Sequence, residues 1–275
     1  MRVRRRDLLG KFFADRGTHL AAMIAYFALL SFVPLTFLAL SLLGLAGRAD
    51  ESSFLVKEIK HTLPGTPIDR ILALVHTVQD NAAALGLIGA AALVWTSLSL
   101  FSVLESAFNI VYGQPNRSFL RGKLLAVGLM LLSLVTLFVG LLVGSFGFDL
   151  LKRYANFLAG NSYVAYGLSV AVSLLAVFVF LVAVYYLLTN VEHTLADVLP
   201  GAVVASVALE ASFQALPLYV RYSDNVLALK AFGGPVLLLI WLYVMANVIV
   251  FGAEVNWLFA ERRRRPELEE AAGLA

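Results

Sequence analysis

Long runs without charged residues dominate the pattern of this chain. Between Arg16 and Arg48 there is no Asp, Glu, Lys or Arg, and five similar runs follow, one of them interrupted only by Glu210. A helix needs about 20 apolar residues to cross the hydrocarbon core of a bilayer, which is about 30 Å thick. The pattern therefore predicts an all-α integral membrane protein with six transmembrane helices. They are expected near residues 20–46, 83–104, 123–147, 163–188, 199–219 and 234–258.

Three other interpretations of these runs are weaker. The helices of a soluble core have a polar face, whereas these segments are apolar on all sides, as in a helix surrounded by lipid or buried deep in protein. Strands of a membrane barrel need only about 9–11 residues and alternate in hydrophobicity. The first run is longer than the apolar part of a signal peptide, about 7–15 residues, so we expect it to be retained. Residues 1–260 are thus predicted to form one transmembrane domain, followed by a tail at 261–275.

The distribution of Lys and Arg predicts the orientation, because cytoplasmic loops of membrane proteins carry more of both. With the N-terminus inside, the inner segments hold 13 of these residues and the outer segments hold 8. Both termini are therefore expected in the cytoplasm. The inner set includes Arg262 to Arg265, which either fix this topology or bind anionic headgroups, and topology is the more frequent role. Pro266 is expected to end the last helix.

The longest predicted loop, residues 47–82, lies on the outer side. Two of its segments, "SFLVKEIKHTL" and "IDRILALVHTVQ", have apolar residues at helical spacing, and Pro64-Gly65 separates them as a turn. We therefore predict an outer helical hairpin. It either fills space above the bundle or lies on the membrane surface and shapes an entrance. The first role is favoured, because an amphipathic pattern by itself only indicates a half-buried helix.

Composition strengthens the membrane assignment and excludes several kinds of chemistry. Hydrophobic residues make up 60% of the 275 residues and charged residues 14%, and the mean hydropathy is +0.85. In soluble domains, hydrophobic residues make up about 45–50% and charged residues about 25%. The chain has no cysteine, which excludes disulfides, thiolate metal sites and cysteine nucleophiles. A net charge of only +3 does not suggest a nucleic-acid-binding surface, and the sequence has no Walker loop for ATP.

Glu210 lies almost at the centre of the fifth predicted span. A charged side chain at that depth costs at least about 2.5–3.5 kcal/mol, so it must be protonated, paired or next to water. Ser206 and Gln214 lie four residues before and after it and share its helix face. This stripe, with Asn247 of the last span, is our candidate polar path through the membrane. The alternative carries equal weight: Glu210 is a neutral acid that hydrogen-bonds a neighbouring helix.

Two further sets of polar residues lie on the spans. Glu105, Asn109 and Tyr112 share one face of the second helix at its inner end, where polar groups cost little, so anchoring at the membrane surface is their expected role. Asn247 and Glu254 share one face of the last helix, and Glu254 lies one or two turns from the inner surface. An interhelical hydrogen bond is the expected role of both.

Prolines mark two further features. Pro34 is expected to kink the first span, because it removes one backbone hydrogen bond from the helix interior. Pro200-Gly201 is expected to open the fifth helix, since the first turn of a helix tolerates proline.

Four stretches resemble the signature segments of the YihY/BrkB family of bacterial inner-membrane proteins, whose members often carry a ribonuclease BN-like label. They are "AAMIAYFALLSFVPL" at 21–35, "VWTSLSLFSVLESAFNIVYG" at 94–113, "DVLPGAVVAS" at 197–206 and "LLIWLYVMANVIVFGAEVN" at 238–256. The resemblance implies six spans in the bacterial inner membrane and a loose association with envelope integrity and lipid handling. Glu210 is outside the family pattern. The motif residues with an implied structural role are Tyr26, Ser31, Pro34, Trp95, Asn109, Tyr112, Pro200, Gly201, Trp241, Tyr243, Gly252 and Glu254.

Two functions remain in competition. The first is handling or transport of a lipid or another amphiphilic envelope component, which the polar stripe and the helix breaks support. The second is a structural or assembly role in the cell envelope, which the scarcity of buried charge supports. A tRNA-processing ribonuclease is disfavoured, because the four histidines lie on different segments and the sequence has no His or Asp cluster for metal-dependent cleavage.

We therefore expect no enzymatic activity, no metal, no cofactor and no nucleic-acid partner. Membrane lipids are the expected partners. The sequence leaves open whether the chain forms a homo-oligomer or binds another envelope protein.

Overall fold

The computed structural model describes residues 8–45, 82–135, 162–192, 194–223 and 234–271. Within these ranges the chain is helical apart from short turns and connections, and it contains no strand. The predicted all-α fold is thus confirmed for the described part. The helices are α1 Leu8–Ala14, α2 Gly17–Leu45, α3 Ala82–Tyr112, α4 over residues 119–135, α5 Ser162–Leu188, α6 Leu195–Ser223 and α7 Gly234–Ala271.

Four of these helices contain a segment long and apolar enough to cross a membrane, and α2 contains a shorter one. The structure describes the third predicted span only as far as residue 135. Of the hairpin predicted at 47–82, residues 47–81 lie outside the described residues. Six spans and their orientation therefore stay predictions. The four segments are Leu87–Tyr112, Val170–Leu188, Leu195–Ala215 and Val236–Arg263, and the shorter one is Gly17–Phe32.

The end of the last helix corrects one prediction. The sequence predicts that Pro266 ends this helix, but α7 continues through Pro266 to Ala271, so the prediction is wrong. Proline removes the hydrogen bond to the carbonyl four residues earlier, which here belongs to Arg262. Arg262 is exposed, so water can replace the lost bond and the helix continues.

The start of α6 lies before the Pro200-Gly201 pair that was expected to open it. Leu195 is its first residue, and Thr194 precedes it. Asp197 Oδ2 accepts hydrogen bonds from the backbone N–H and from the hydroxyl of Thr194, both at 2.9 Å. A threonine followed three residues later by an acidic side chain is a helix-starting motif, and the negative charge is favourable at a helix N-terminus. The cap therefore sets the helix start, and Pro200 falls in the second turn.

Small buried residues bring the helices together. α2 packs against α3 and α7, α7 packs against α6, and α6 packs against α5. Lipid tails are as apolar as these side chains, so close approach of backbones is an important source of attraction between membrane helices. The buried alanines of the core are Ala21, Ala25, Ala107, Ala126, Ala202, Ala205, Ala246 and Ala253.

The contact between α6 and α7 is the clearest case of this close approach. A methyl group on Gly201 would overlap the carbonyl oxygen of Gly252 and come within 2.6 Å of the Asn256 carboxamide carbon. A methyl group on Gly252 would overlap the Tyr185 hydroxyl and come within 3.0 Å of the Gly201 carbonyl oxygen. The Tyr185 hydroxyl reaches this point from α5 and donates a hydrogen bond of 2.8 Å to the carbonyl of Ile249. Three helices thus meet where only glycine fits on two of them.

Candidate functional site

Many of the polar contacts between described helices lie at one end of the bundle. α2, α4 and α6 begin at this end, and α3, α5 and α7 run into it. We call the polar residues that make these contacts the polar end layer. It consists of Lys11, Asp15, Glu105, Asn109, Arg117, Thr189, Asn190, Asp197, Glu254 and Arg263.

Lys11 of α1 is buried and joins three helices. Its ammonium nitrogen lies 2.8 Å from Oε2 of Glu254 in α7 and donates a hydrogen bond of 2.8 Å to the carbonyl of Val111 in α3. It also forms an ion pair with Asp15, one helical turn away, and lies 4.2 Å from the centre of the Trp257 ring. The lysine therefore neutralises a carboxylate and satisfies a backbone carbonyl at the end of α3.

Glu254 is fully buried, with 0% of its surface exposed. Its Oε1 has no hydrogen-bond partner among the described residues, so Lys11 is the main compensation for burying this carboxylate. A buried carboxylate that loses its partner strongly destabilises a protein, because its cost of leaving water is then uncompensated. The position of α1 and the burial of Glu254 therefore depend on each other.

Arg117 lies in the segment that leads into α4, and its side chain caps the C-terminal end of α5. Its guanidinium donates hydrogen bonds to the carbonyls of Leu188 at 2.6 Å and Thr189 at 2.8 Å. The last carbonyls of a helix have no partner within the helix, so this side chain supplies the missing donors. Glu105 of α3 accepts a bond of 3.2 Å from the backbone N–H of Arg117 and lies 3.5 Å from its Nη1, which holds the guanidinium in place.

Replacing Arg117 with lysine should destabilise the protein even though the charge is kept. An ammonium group lacks the planar fork that reaches two carbonyls at once, so we expect a loss of about 1.5–3 kcal/mol in the free energy of unfolding. Thermal unfolding in detergent would measure it, with Arg121→Lys as control because Arg121 is an exposed residue of α4. Equal stability of the two variants would contradict the role assigned to Arg117.

Asn109 holds two connecting segments against α3. It is fully buried, its amide nitrogen donates to Oδ1 of Asn116 at 3.0 Å, and its oxygen accepts a bond of 2.8 Å from the backbone N–H of Asn190. Asn190 in turn donates to the carbonyl of Pro115 at 2.9 Å. These bonds hold the connection between α3 and α4 against the residues that follow α5.

The sequence indicated Glu105, Asn109 and Glu254 but missed most of their partners. Lys11 and Arg117 were counted only for the orientation of the chain. Asp197 stands in a threonine-to-aspartate spacing that is a recognisable helix-capping signal, and it also lies 3.2 Å from the guanidinium of Arg263. For Lys11, by contrast, no local signal marks partners that come from distant parts of the chain.

A second polar cluster lies farther along α6. Oε2 of Glu210 accepts a hydrogen bond of 2.8 Å from the hydroxyl of Ser173 in α5, and Oε1 accepts one of 2.8 Å from the Gln214 amide. Only 7% of the Glu210 surface is exposed, whereas Gln214 is exposed. We call Glu210, Ser173 and Gln214 the mid-span cluster. Its chemistry is that of a buried carboxyl group that accepts hydrogen bonds from two side chains on apolar helices.

The other residues of the predicted polar path bond within their own helices. The buried hydroxyl of Ser206 donates to the carbonyl of Val203 at 3.1 Å, and the Asn247 amide donates to the carbonyl of Tyr243 at 2.7 Å. The structure thus brings Glu210 and Gln214 together and adds Ser173. It shows Ser206 and Asn247 bonded to carbonyls of their own helices.

The motif residues differ in how far they are exposed. Tyr26 and Trp95 are exposed aromatic side chains on apolar helices, and Tyr112, Pro200 and Tyr243 are partly buried. Aromatic residues on such a surface suit contact with lipid or with the membrane interface. Gly201, Trp241, Gly252 and Glu254 are buried and contact neighbouring helices. The other buried motif residues are Ser31, Pro34 and Asn109.

The described residues contain no group of three or more His, Asp or Glu side chains that could hold a metal ion. The expectations that the chain has no enzymatic activity and no cofactor stay predictions.

A family model described as virulence factor BrkB matches residues 8–273. The chain belongs to the BrkB family. The match includes both polar clusters, and it confirms the resemblance seen in the four signature stretches. With its apolar helices, the chain is thus a membrane protein of a bacterial family.

Named relatives of this BrkB protein divide into two groups by length. The ribonuclease-like protein YfkH of Bacillus subtilis is 25% identical over 268 residues, which cover 95% of this chain and 97% of the relative. A UPF0761 membrane protein of Chromohalobacter salexigens is 27% identical over 94% of this chain and 63% of its own length. The corresponding protein of Rhodospirillum centenum is 27% identical over 94% of this chain and 57% of its own length. The chain thus spans about three fifths of these UPF0761 proteins. No solved structure matches it.

Proposed function

We propose that this BrkB protein crosses the bacterial inner membrane six times, with both termini in the cytoplasm, and handles or transports a lipid or another amphiphilic envelope component. The polar end layer supports the topology. It gathers the starts of α2, α4 and α6 and the ends of α3, α5 and α7, as expected when consecutive spans alternate in direction. Its basic members also suit the cytoplasmic side, where Lys and Arg are enriched.

The mid-span cluster is the observation that carries the proposed activity. Glu210 lies 13 residues beyond Asp197, or about 20 Å farther along α6. If Asp197 lies near the headgroups, as we propose, the carboxyl group lies well inside a hydrocarbon core about 30 Å thick. A carboxyl group is costly at this depth and is typically found on substrate or ion pathways. Ser173 and Gln214 lower that cost by donating to it.

The exposure of Gln214 suggests how a lipid would approach. This amide lies on the exposed side of α6 and is bonded to a carboxyl group that is almost entirely buried. A polar headgroup that moves along the helix surface would meet the amide first and the carboxyl group behind it. An amphiphile fits this arrangement because its tails can stay in the bilayer while its headgroup exchanges hydrogen bonds with the pair.

Replacing Glu210 with glutamine should slow lipid movement in a reconstituted system. Glutamine keeps the shape but replaces one of the two oxygens that accept hydrogen bonds, so we expect the rate to fall by about tenfold, as for the loss of one hydrogen bond worth about 1.5 kcal/mol. The assay uses vesicles that contain the purified protein and a fluorescent phospholipid whose exposure on the outer leaflet is measured by chemical quenching.

Ser173→Ala should give a smaller loss in the same direction. Ser133→Ala is the matched control, because among the described residues its hydroxyl bonds the carbonyl of Leu129, one turn earlier in α4, and no other group. The proposal fails if the wild-type protein moves no lipid under any condition. It also fails if Glu210→Gln moves lipid as fast as wild type.

A structural or assembly role in the envelope is the second candidate. The polar end layer favours it, because so many bonds at one end of the bundle suit a rigid scaffold. Absence of lipid movement, together with high thermal stability of the wild-type protein, would support this role. A ribonuclease activity, which the name of the Bacillus relative raises, is the disfavoured third alternative.

A further inference from the structure

α1 has two sides of opposite character. Leu9 and Phe13 lie four residues apart, so they share one face of the helix, and they are 61% and 64% exposed. Lys11 lies on the opposite face and is buried against α3 and α7. Phe12 is also buried and its ring lies 6.0 Å from that of Phe251 in α7. The helix thus turns its charged residue inward and its two largest exposed side chains outward, the reverse of a helix on the surface of a soluble protein.

The contacts of Lys11 set the level of α1 relative to a bilayer. The lysine bonds the carbonyl of Val111, next to Tyr112 at the end of α3, and its ammonium group lies over Trp257 of α7. Tyr and Trp are enriched at the boundary between headgroups and acyl chains. Arg262, one to two turns beyond Trp257, is exposed. α1 therefore lies at the level of that boundary.

The corner between α1 and α2 prevents α1 from simply extending the first span. Arg16 has a φ of 58°, which ends α1 in the left-handed region, and its N–H donates to the carbonyl of Phe13 at 3.1 Å. Gly17 lies so close to the Phe12 ring that a methyl group there would overlap it. The chain therefore turns sharply at residues 15–17, and α1 is held beside the bundle by Lys11 and Phe12.

We propose that α1 is an interfacial helix whose Leu9 and Phe13 insert into the lipid surface on the side of the polar end layer. A lipid surface is the occupant that the observations favour over a second copy or another protein. The helix is continuous with α2 and lies at interfacial depth. Four arginines precede it in the sequence, at positions 2, 4, 5 and 6, and such residues are attracted to anionic headgroups. The inference requires only that the bundle sits in a bilayer, and it is independent of lipid transport.

Site-directed spin labelling tests this inference without background, because the chain has no cysteine. Leu9→Cys and Phe13→Cys would each be labelled with a nitroxide in the full-length protein, in vesicles of phosphatidylcholine with about one quarter phosphatidylglycerol. The measurement compares how often the nitroxide collides with oxygen, which concentrates in lipid, and with a nickel chelate, which stays in water. Gln114→Cys is the matched control, since Gln114 is exposed in the connection between α3 and α4 at the same end of the bundle.

We expect the ratio of oxygen to nickel accessibility at positions 9 and 13 to exceed that at position 114 by about fivefold or more, as for side chains inserted 5–10 Å below the headgroups. Ratios equal to that of the control would place both residues in water and overturn the proposal. Immobilised labels that neither reagent reaches, or labels coupled to each other between copies, would show that protein covers this face and would also overturn it. Both residues are exposed, so the labelled variants should fold, and size-exclusion elution would verify this.

Discussion

Replacing Gly201 with alanine should cost about 3 kcal/mol or more and separate α6 from α7. The added methyl group would overlap the carbonyl oxygen of Gly252, which is a backbone atom and cannot turn away as a side chain can. Overpacking typically costs about 1–3 kcal/mol, and a clash with rigid backbone belongs at the upper end or above it. We expect a large fall in the thermal unfolding temperature in detergent and a lower yield of monodisperse protein.

Gly128→Ala provides the control for this prediction. Gly128 is a helical residue of α4, and a methyl group there would meet no atom within 4 Å. Alanine favours helix over glycine by up to about 1 kcal/mol, so this variant should be as stable as wild type or more stable. If Gly201→Ala unfolds at the wild-type temperature, the close contact between the two helices does not exist as described.

Replacing Lys11 with methionine should cost about 3–5 kcal/mol. The variant leaves Glu254 buried without its partner and also removes the donor to the carbonyl of Val111. Breaking a buried ion pair by removing one member is costly for this reason, whereas removing both can be nearly neutral. We therefore expect the double variant Lys11→Met/Glu254→Leu to recover most of the lost stability. Unfolding of Lys11→Met, Glu254→Leu and the double variant in mixed micelles would measure the coupling.

Arg263→Met is the matched control for Lys11→Met. Arg263 also pairs with an acidic residue, Asp197, but its side chain is largely exposed. Exposed ion pairs contribute about 0–1 kcal/mol, so this variant should change little. The buried role of Lys11 is refuted if Lys11→Met destabilises no more than Arg263→Met, or if the double variant is less stable than Lys11→Met alone.

The sequence predicted the helices well because their signal is local. An apolar run that is long enough to cross a bilayer can be read from consecutive residues, and the described parts of the spans follow these runs. Helix ends were harder to predict. Pro266 does not end α7, and the cap at Thr194 starts α6 before Pro200, because the solvation and capping of a few groups decide each end.

The partners in the polar end layer could not be predicted in the same way. Lys11 and Val111 are 100 residues apart in sequence, and Glu254 comes from the last helix. A lysine near a span is ordinarily assigned to water, and only the packing of α1 against two other helices shows that it is buried. The mid-span cluster is an intermediate case: the spacing of Glu210 and Gln214 marks their shared face, but nothing in the sequence links Ser173 of α5 to it.

The polar end layer also has a consequence for any tilting of the helices. Hydrogen bonds and ion pairs tie the described helix ends there, so a helix that tilted would turn about that end. α3, with 31 residues, is about 46 Å long, and a tilt of about 10° around one end would move the other end by about 8 Å. A small rotation at the tied end would therefore become a wide separation at the opposite end of the bundle.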